Sequence, residues 1–247
     1  MKKINVLALG DSITYGVGDH ERGGWVNRLR YKLEEDDSTY YDVYNLGIPG
    51  DNSSNLMNRM INECRSRVFE GDTVIVIQIG ANDTIYDSIG HYISNLKTLL
   101  DYAFSITKYV VVLGLCPAKD ISIETRFNMI ADYSREKCEL FDRELQGFIK
   151  QDGRATYIKI RDRFDTELLV DGVHPNEFGH EIISNVVYKY LDEVFNVRPK
   201  KLCCLCNKPI IGNDNNPWPL KKSGRCCNEC NMTKVIIARL KGAINNE

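Results

Sequence analysis

The stretch Leu7-Ala8-Leu9-Gly10-Asp11-Ser12-Ile13-Thr14 decides how the rest of the chain is read. The apolar run from Ile4 to Leu9 predicts a buried strand, and it stops abruptly at a glycine, an acid and a hydroxyl. Open parallel sheets bind ligands outside the carboxyl ends of their strands, which puts Ser12 where such folds keep their chemistry. A serine there is only a candidate nucleophile. It needs a base, a group that orients the base, and donors for a developing oxyanion.

Working outward, the same pattern recurs. A helix is expected from Trp25 to Glu35, then a strand from Tyr41 to Leu46 that runs into Gly47-Ile48-Pro49-Gly50-Asp51-Asn52-Ser53. Met57, Met60, Ile61, Cys64 and Val68 recur at helical spacing. The β-branched run from Asp72 to Ile79 suits the centre of a parallel sheet and ends in Gly80-Ala81-Asn82-Asp83. A helix from about Ser88 to Ser105, a strand from Tyr109 to Leu115 and a long helical segment over about 123–150 follow. A fifth strand, Thr156 to Ile160, leads to Asp171-Gly172-Val173-His174-Pro175, and a helix from Glu177 to Phe195 closes the pattern. Five strands alternating with helices imply a three-layer α/β/α sandwich on a parallel sheet. The glycines after Ser12 do not make a dinucleotide fingerprint, because Glu21 stands where the third glycine belongs.

Four post-strand loops therefore carry Ser12, Gly50, Asn82 and the Asp171/His174 pair. His174 can take the proton of the Ser12 hydroxyl and return it to a leaving group. Asp171, on the same tight loop, can reach the other ring nitrogen and fix the tautomer. The backbone N–H groups of Ser12 and Gly50 and the Asn82 amide supply the oxyanion donors. Taken alone, a Gly-Asp-Ser after a strand reads more often as a turn with a helix cap. His180 is a rival base, but it falls inside a helix with no acid paired to it. His20 and His91 have no nameable partner, and Asp11 and Asp83 read as loop-shaping acceptors.

Gly10-Asp11-Ser12-Ile13-Thr14, the glycine of Ile48-Pro49-Gly50-Asp51-Asn52-Ser53, Gly80-Ala81-Asn82-Asp83 and Asp171-Gly172-Val173-His174-Pro175 resemble the four signature blocks of the SGNH, or GDSL, hydrolases. Their order and spacing match, over roughly residues 4–195. The resemblance implies a flavodoxin-like fold and hydrolysis of esters, thioesters or acetyl groups with no cofactor for catalysis. It implies Ser12, Asp171 and His174 as catalytic residues and Ser12, Gly50 and Asn82 as the oxyanion hole. The substrate is then a small-molecule or glycan ester. Short loops without an evident lid insertion favour small acyl groups, and Tyr15, Val17, Asp51, Tyr86 and residues near Pro117 are the candidate pocket walls. A thioesterase uses the same machinery. A binding protein that uses the α/β body as a scaffold is the reading from another class.

The remaining fifty residues differ in kind. Residues 197–247 carry ten Lys or Arg against three acids, a balance of +7, which leaves −9 on the rest of the 247-residue chain. After a basic linker over 196–202 come Cys203-x-x-Cys206 and Cys227-x-x-Cys230, the paired spacing of a Cys₄ zinc site. The polar loop 213–220 between them builds no core, so this segment needs its metal to fold. The second pair opens an expected helix from Asn231 to Leu240. The arrangement resembles treble-clef zinc fingers, and its Asn-Asn-Pro-x-Pro-Leu element resembles small zinc-binding domains of bacteriophage proteins. An HNH-type nuclease site is disfavoured, because the last histidine of the chain is His180. A basic tail points to contact with an anionic polymer or with the acidic body. The expected domains are 1–196 and 197–247. No apolar run reaches the length of a membrane span, the N-terminus shows no signal h-region, and unpaired cysteines suit a cytoplasmic location.

Overall fold

The computed structural model describes residues 2–34, 39–68, 70–124, 130–195, 202–208, 210 and 214–244. Contacts divide the chain into two compact units, one ending at Tyr190 and the other beginning at Leu191. In chain order the elements are β1 (Lys2–Gly10), α1 (Ser12–Tyr15), α2 (Trp25–Leu33), β2 (Thr39–Gly47), α3 (Ser53–Arg65) and β3 (Asp72–Gln78). There follow α4 (Asp83–Tyr86), α5 (Ile89–Phe104), β4 (Tyr109–Leu113), β5 (Ile121–Glu124), β6 (Ile130–Tyr133), α6 (Arg135–Asp152), β7 (Thr156–Ile158) and α7 (Glu177–Phe195). No helix among the described residues is long and apolar enough to cross a membrane.

Five strands pair in parallel in the order β2-β1-β3-β4-β7. The expected sheet and its helical layers are present. β1 sits between β2 and β3, and Val6 to Leu9 are wholly buried, which is why this strand reads as an unbroken apolar run. On one face Leu7, Leu9, Ile75 and Ile77 pack with Leu56 and Met60 of α3, Leu96 of α5 and Phe141 of α6. Chain order reverses between β1 and β3, so the crevice of a doubly wound sheet opens above Gly10 and Gln78, which are paired in register.

Local chemistry sets the helix limits. Asn52 and Asn55 form a reciprocal capping box on α3, Ser88 caps α5, and Ser134 caps α6, which stops at Gly153 with φ of 72°. The helix expected over 123–150 is corrected in its first part. Residues 121–124 and 130–133 form an antiparallel pair, β5 with β6, in which Ile123 faces Ala131, and the helix begins after the Ser134 cap. Ile121, Ile123 and Ile130 are β-branched residues that favour this pairing over a helix start. The strands expected to reach Leu115 and Ile160 end at Leu113 and Ile158, and α2 ends at Leu33. Glu35, the expected end of that helix, lies outside the described residues, as does the linker over 196–201.

In the second unit Cys203, Ile210, Cys226, Cys227, Cys230 and Val235 form a small buried cluster. Cys203 N–H donates to the Lys208 carbonyl at 2.8 Å, and Asn207, with φ of 59°, turns the first Cys-x-x-Cys knuckle back on itself. Cys227 Sγ accepts from the Cys230 N–H at 3.4 Å and caps α8 (Asn228–Cys230). The helix expected from Asn231 begins earlier and is composite: α8, a π-helical turn over Asn231–Val235, then α9 (Ile236–Ile244). The cysteines themselves cause this, since the Cys227 sulfur, accepting the Cys230 N–H, starts the helix at the knuckle.

Candidate active site

β1 can run out close beside β3 only because Gly10 lacks a side chain. A Cβ there would lie 2.2 Å from the Gln78 carbonyl and 2.3 Å from Thr14 Oγ1. The next residue, Asp11, accepts the Ile13 N–H on Oδ1 at 2.9 Å and starts α1, so Ser12 becomes its first residue. Asp11 is buried, and burial pushes its carboxyl up to about 7 against the pull of that N–H.

The 169–175 loop is closed on itself. Leu169 bridges to Pro175, and Val170 N–H donates to the His174 carbonyl at 2.9 Å. Asp171 Oδ1 accepts the N–H groups of Val173 at 3.0 Å and His174 at 2.8 Å. Its Oδ2 lies 2.6 Å from His174 Nδ1, and His174 Nε2 lies 2.8 Å from Ser12 Oγ. Partial burial opposes ionisation of Asp171, yet the His174 ring and backbone donors outweigh it and hold the carboxyl at about 2. An ionised acceptor on Nδ1–H leaves Nε2 free to accept from the serine hydroxyl.

The third and fourth loops face this pair. Gly50 has φ of 89°, a conformation that favours glycine. The backbone N–H groups of Ser12 and Gly50 donate to no acceptor among the described residues. Asn82 is buried just before α4; its Nδ2 donates to the Asp51 carbonyl at 2.8 Å, and its Oδ1 accepts from Tyr133 Oη at 2.8 Å. Asp83 accepts the Ser53 N–H at 3.0 Å and the Ser53 hydroxyl, joining the two loops. Arg59 of α3 donates to the Gly10 carbonyl at 3.0 Å and pairs with the Asp51 carboxylate at 2.7 Å.

Ser12, Gly50, Asn82 and His174 line one cavity of 350 Å³, together with Val17 and Tyr86. Its far wall is Ile123 and Glu124 of β5 with Ala131 and Tyr133 of β6. The segment between β4 and α6, expected as loop and helix, thus supplies part of the cavity wall through the β5–β6 pair. Of the other expected walls, Tyr15 lines a separate cavity, and Asp51 takes part through its carbonyl and carboxylate rather than as a wall. His180 is occupied elsewhere: Nδ1 accepts the Trp25 N–H at 3.2 Å, and Nε2 donates to the Val17 carbonyl at 3.0 Å. Burial lowers its basicity further, which suits a neutral structural ring. His91, expected to lack a partner, lies 2.6 Å from Asp87 at i−4, and His20 is exposed. Sequence reasoning missed Tyr133, whose partner Asn82 is 51 residues away, and Arg59, whose Gly10 contact is 49 residues away.

In the second unit the Sγ atoms of Cys203, Cys206, Cys227 and Cys230 lie within 4.8 Å of one another. Cys206 and Cys227 sulfurs are 3.8 Å apart. A tetrahedral thiolate site with bonds of ~2.3 Å has edges of about 3.8 Å. The donor set therefore fits a metal ion. Cys204 and Cys226 stand outside this cluster.

The model of the GDSL-like lipase/acylhydrolase family matches residues 8–182. A curated relative, an uncharacterized protein of Bacillus subtilis (YpmR), is 23% identical over 215 residues, 75% of this chain and 80% of that one. Among solved structures, a family 3 carbohydrate esterase of Clostridium thermocellum is 20% identical, with a TM-score of 0.62 over 79% of this chain and 98% of its own. A carbohydrate acetylesterase of Sinorhizobium meliloti (Est24) is 16% identical, with a TM-score of 0.62 over 77% of this chain and 99% of its own. The structures share the fold, and the family model spans all four loops that meet at Ser12 up to α7. The chain belongs to the GDSL-like lipase/acylhydrolase family, whose members are ester hydrolases.

Proposed function

We propose that the chain is a serine hydrolase that cleaves short-chain carboxylic esters, O-acetyl groups of small molecules or glycans among them, through a Ser12 acyl-enzyme. The observation that carries this reading is the unbroken chain from Asp171 Oδ2 to His174 Nδ1 at 2.6 Å and from His174 Nε2 to Ser12 Oγ at 2.8 Å, opening on one cavity. His174 takes the hydroxyl proton as Ser12 Oγ bonds to the acyl carbon, then gives it to the departing alkoxide. The carbonyl oxygen, negative in the tetrahedral intermediate, accepts from the Ser12 and Gly50 N–H groups and from Asn82 Nδ2. Water repeats the sequence and releases the acid. Apolar Val17, Ile123 and Ala131 suit a short acyl group, and Asn52, Asn55 and Glu124 offer polar contacts to a hydroxylated alcohol.

The test is turnover of p-nitrophenyl esters of graded chain length and of acetylated sugars, with a serine-reactive phosphonate alongside. Ser12→Ala is expected to lose nearly all turnover and all labelling. Full turnover in Ser12→Ala overturns the reading, and a scaffold carrying no enzyme predicts no labelling of the wild type. Thioesters in the same panel distinguish a thioesterase.

Residues 197–247 form, in the same proposal, a zinc-binding domain held by Cys203, Cys206, Cys227 and Cys230. Bound there, the ion supplies the crosslink that the small core lacks. Its exposed Lys221, Lys222, Arg225 and Trp218 suit contact with an anionic polymer, through charge and ring stacking.

A further inference from the structure

The β5–β6 pair does more than wall the cavity. Asn82 is the one proposed oxyanion donor that is a side chain, and a side-chain amide is useful there only if its NH₂ end faces the substrate. Two neighbours decide that. The Asp51 carbonyl can only accept, so the atom 2.8 Å from it is the Asn82 nitrogen. One N–H is thereby taken, and the second remains for the cavity that Asn82 lines. The amide oxygen must then face Tyr133, whose hydroxyl donates to it at 2.8 Å. Burial raises the phenol well above its ordinary value, so Tyr133 stays a donor.

We propose that Tyr133 is a positioning residue for ester hydrolysis: its hydroxyl holds the Asn82 amide with the second N–H aimed at the oxyanion. The proposal rests on the serine-hydrolase reading above. Tyr133 comes from the β5–β6 pair, whose Ile123, Glu124 and Ala131 wall the same cavity. The side of the site that meets the substrate is thus also the side that orients one catalytic donor. Without the hydroxyl, Asn82 Oδ1 loses a buried partner, and the amide is left with the Asp51 carbonyl as its remaining anchor. An amide free to rotate spends less of its time aligned, which weakens a contact that matters most in the transition state.

The experiment is a double-mutant cycle on the full chain with p-nitrophenyl acetate, comparing wild type, Tyr133→Phe, Asn82→Ala and the pair, with Ser12→Ala as the control. Tyr133→Phe keeps the ring and the cavity wall. It is expected to lower kcat about tenfold, the scale of one ordinary hydrogen bond, with KM within about twofold. Asn82→Ala is expected to lower kcat by about 10²–10³, and adding Tyr133→Phe to it to cost nothing more. Wild-type kcat in Tyr133→Phe overturns the proposal while leaving the hydrolase reading intact. So does an undiminished tenfold loss in the Asn82→Ala background, because the hydroxyl then acts through something other than Asn82. A wild-type chain without Ser12-dependent turnover overturns the hydrolase reading and this proposal together.

Discussion

Asp11 and Asp171 are carboxyls of one site pushed in opposite directions. Asp11 is buried, with one N–H donor from Ile13 on its Oδ1, and its folded value near 7 lies above the ordinary 3.8. Its contribution to stability is therefore full below about pH 3.8 and is lost as pH rises through about 7. Asp171, held near 2, contributes in the opposite sense, above pH 3.8, and loses that contribution as pH falls through about 2. Asp11→Asn keeps an oxygen for the Ile13 N–H and removes the buried charge. Its Tm relative to wild type is expected to climb between pH 5 and pH 8, by about 2–4 °C for each kcal/mol recovered. A pH-independent difference between the two would refute the raised carboxyl. At this scale the sequence was informative in part: Ser12 follows β1 almost at once, and Asp171 and His174 are three residues apart on one loop, close enough for spacing to dictate their contact. Tyr133 left no such trace, because its partner Asn82 lies 51 residues away, in another loop.

Among elements, β1, β3 and β4 were easy to read, since each is an apolar run stopped by a glycine or a polar loop. Limits slipped by one or two residues where the last apolar residue leaves the ladder before the run ends. The β5–β6 pair could not be read, because a short apolar run with isoleucines two apart fits a helix start as well as a strand. His180 shows the converse. A histidine near a catalytic loop invites a chemical role, yet its ring stitches the start of α2 to the glycine-rich loop after α1 through the Trp25 N–H and the Val17 carbonyl. His180→Ala strips both groups of their partner. The expected loss is about 2–4 kcal/mol of stability by denaturant unfolding, with ester kcat of the folded protein within a fewfold of wild type. A collapse of kcat at unchanged stability would return His180 to the list of candidate bases.

For the whole molecule, charge partition and cysteine spacing put the expected limit at residue 196, while the contact division falls inside α7, after Tyr190. No candidate catalytic residue falls in the second unit. Truncation after Asn196 is expected to leave small-ester kcat within about twofold, and native mass spectrometry of the full chain to find one zinc. Absence of bound metal would refute the Cys₄ assignment, and loss of activity on truncation would refute the independence of the units. The composition led to the expected limit, because a segment held by a metal needs few apolar residues to hide. What it could not supply is how the strand ends of the first unit are kept at a fixed gap. The Ser12 turn leaves β1, and the Gly50 turn leaves β2. Arg59, reaching up from α3, grips the Gly10 carbonyl on one side and the Asp51 carboxylate on the other. A planar guanidinium cannot stretch. It works as a machinist's gauge block set between two jaws, tying the turn at the end of β1 to the turn at the end of β2 through one rigid group.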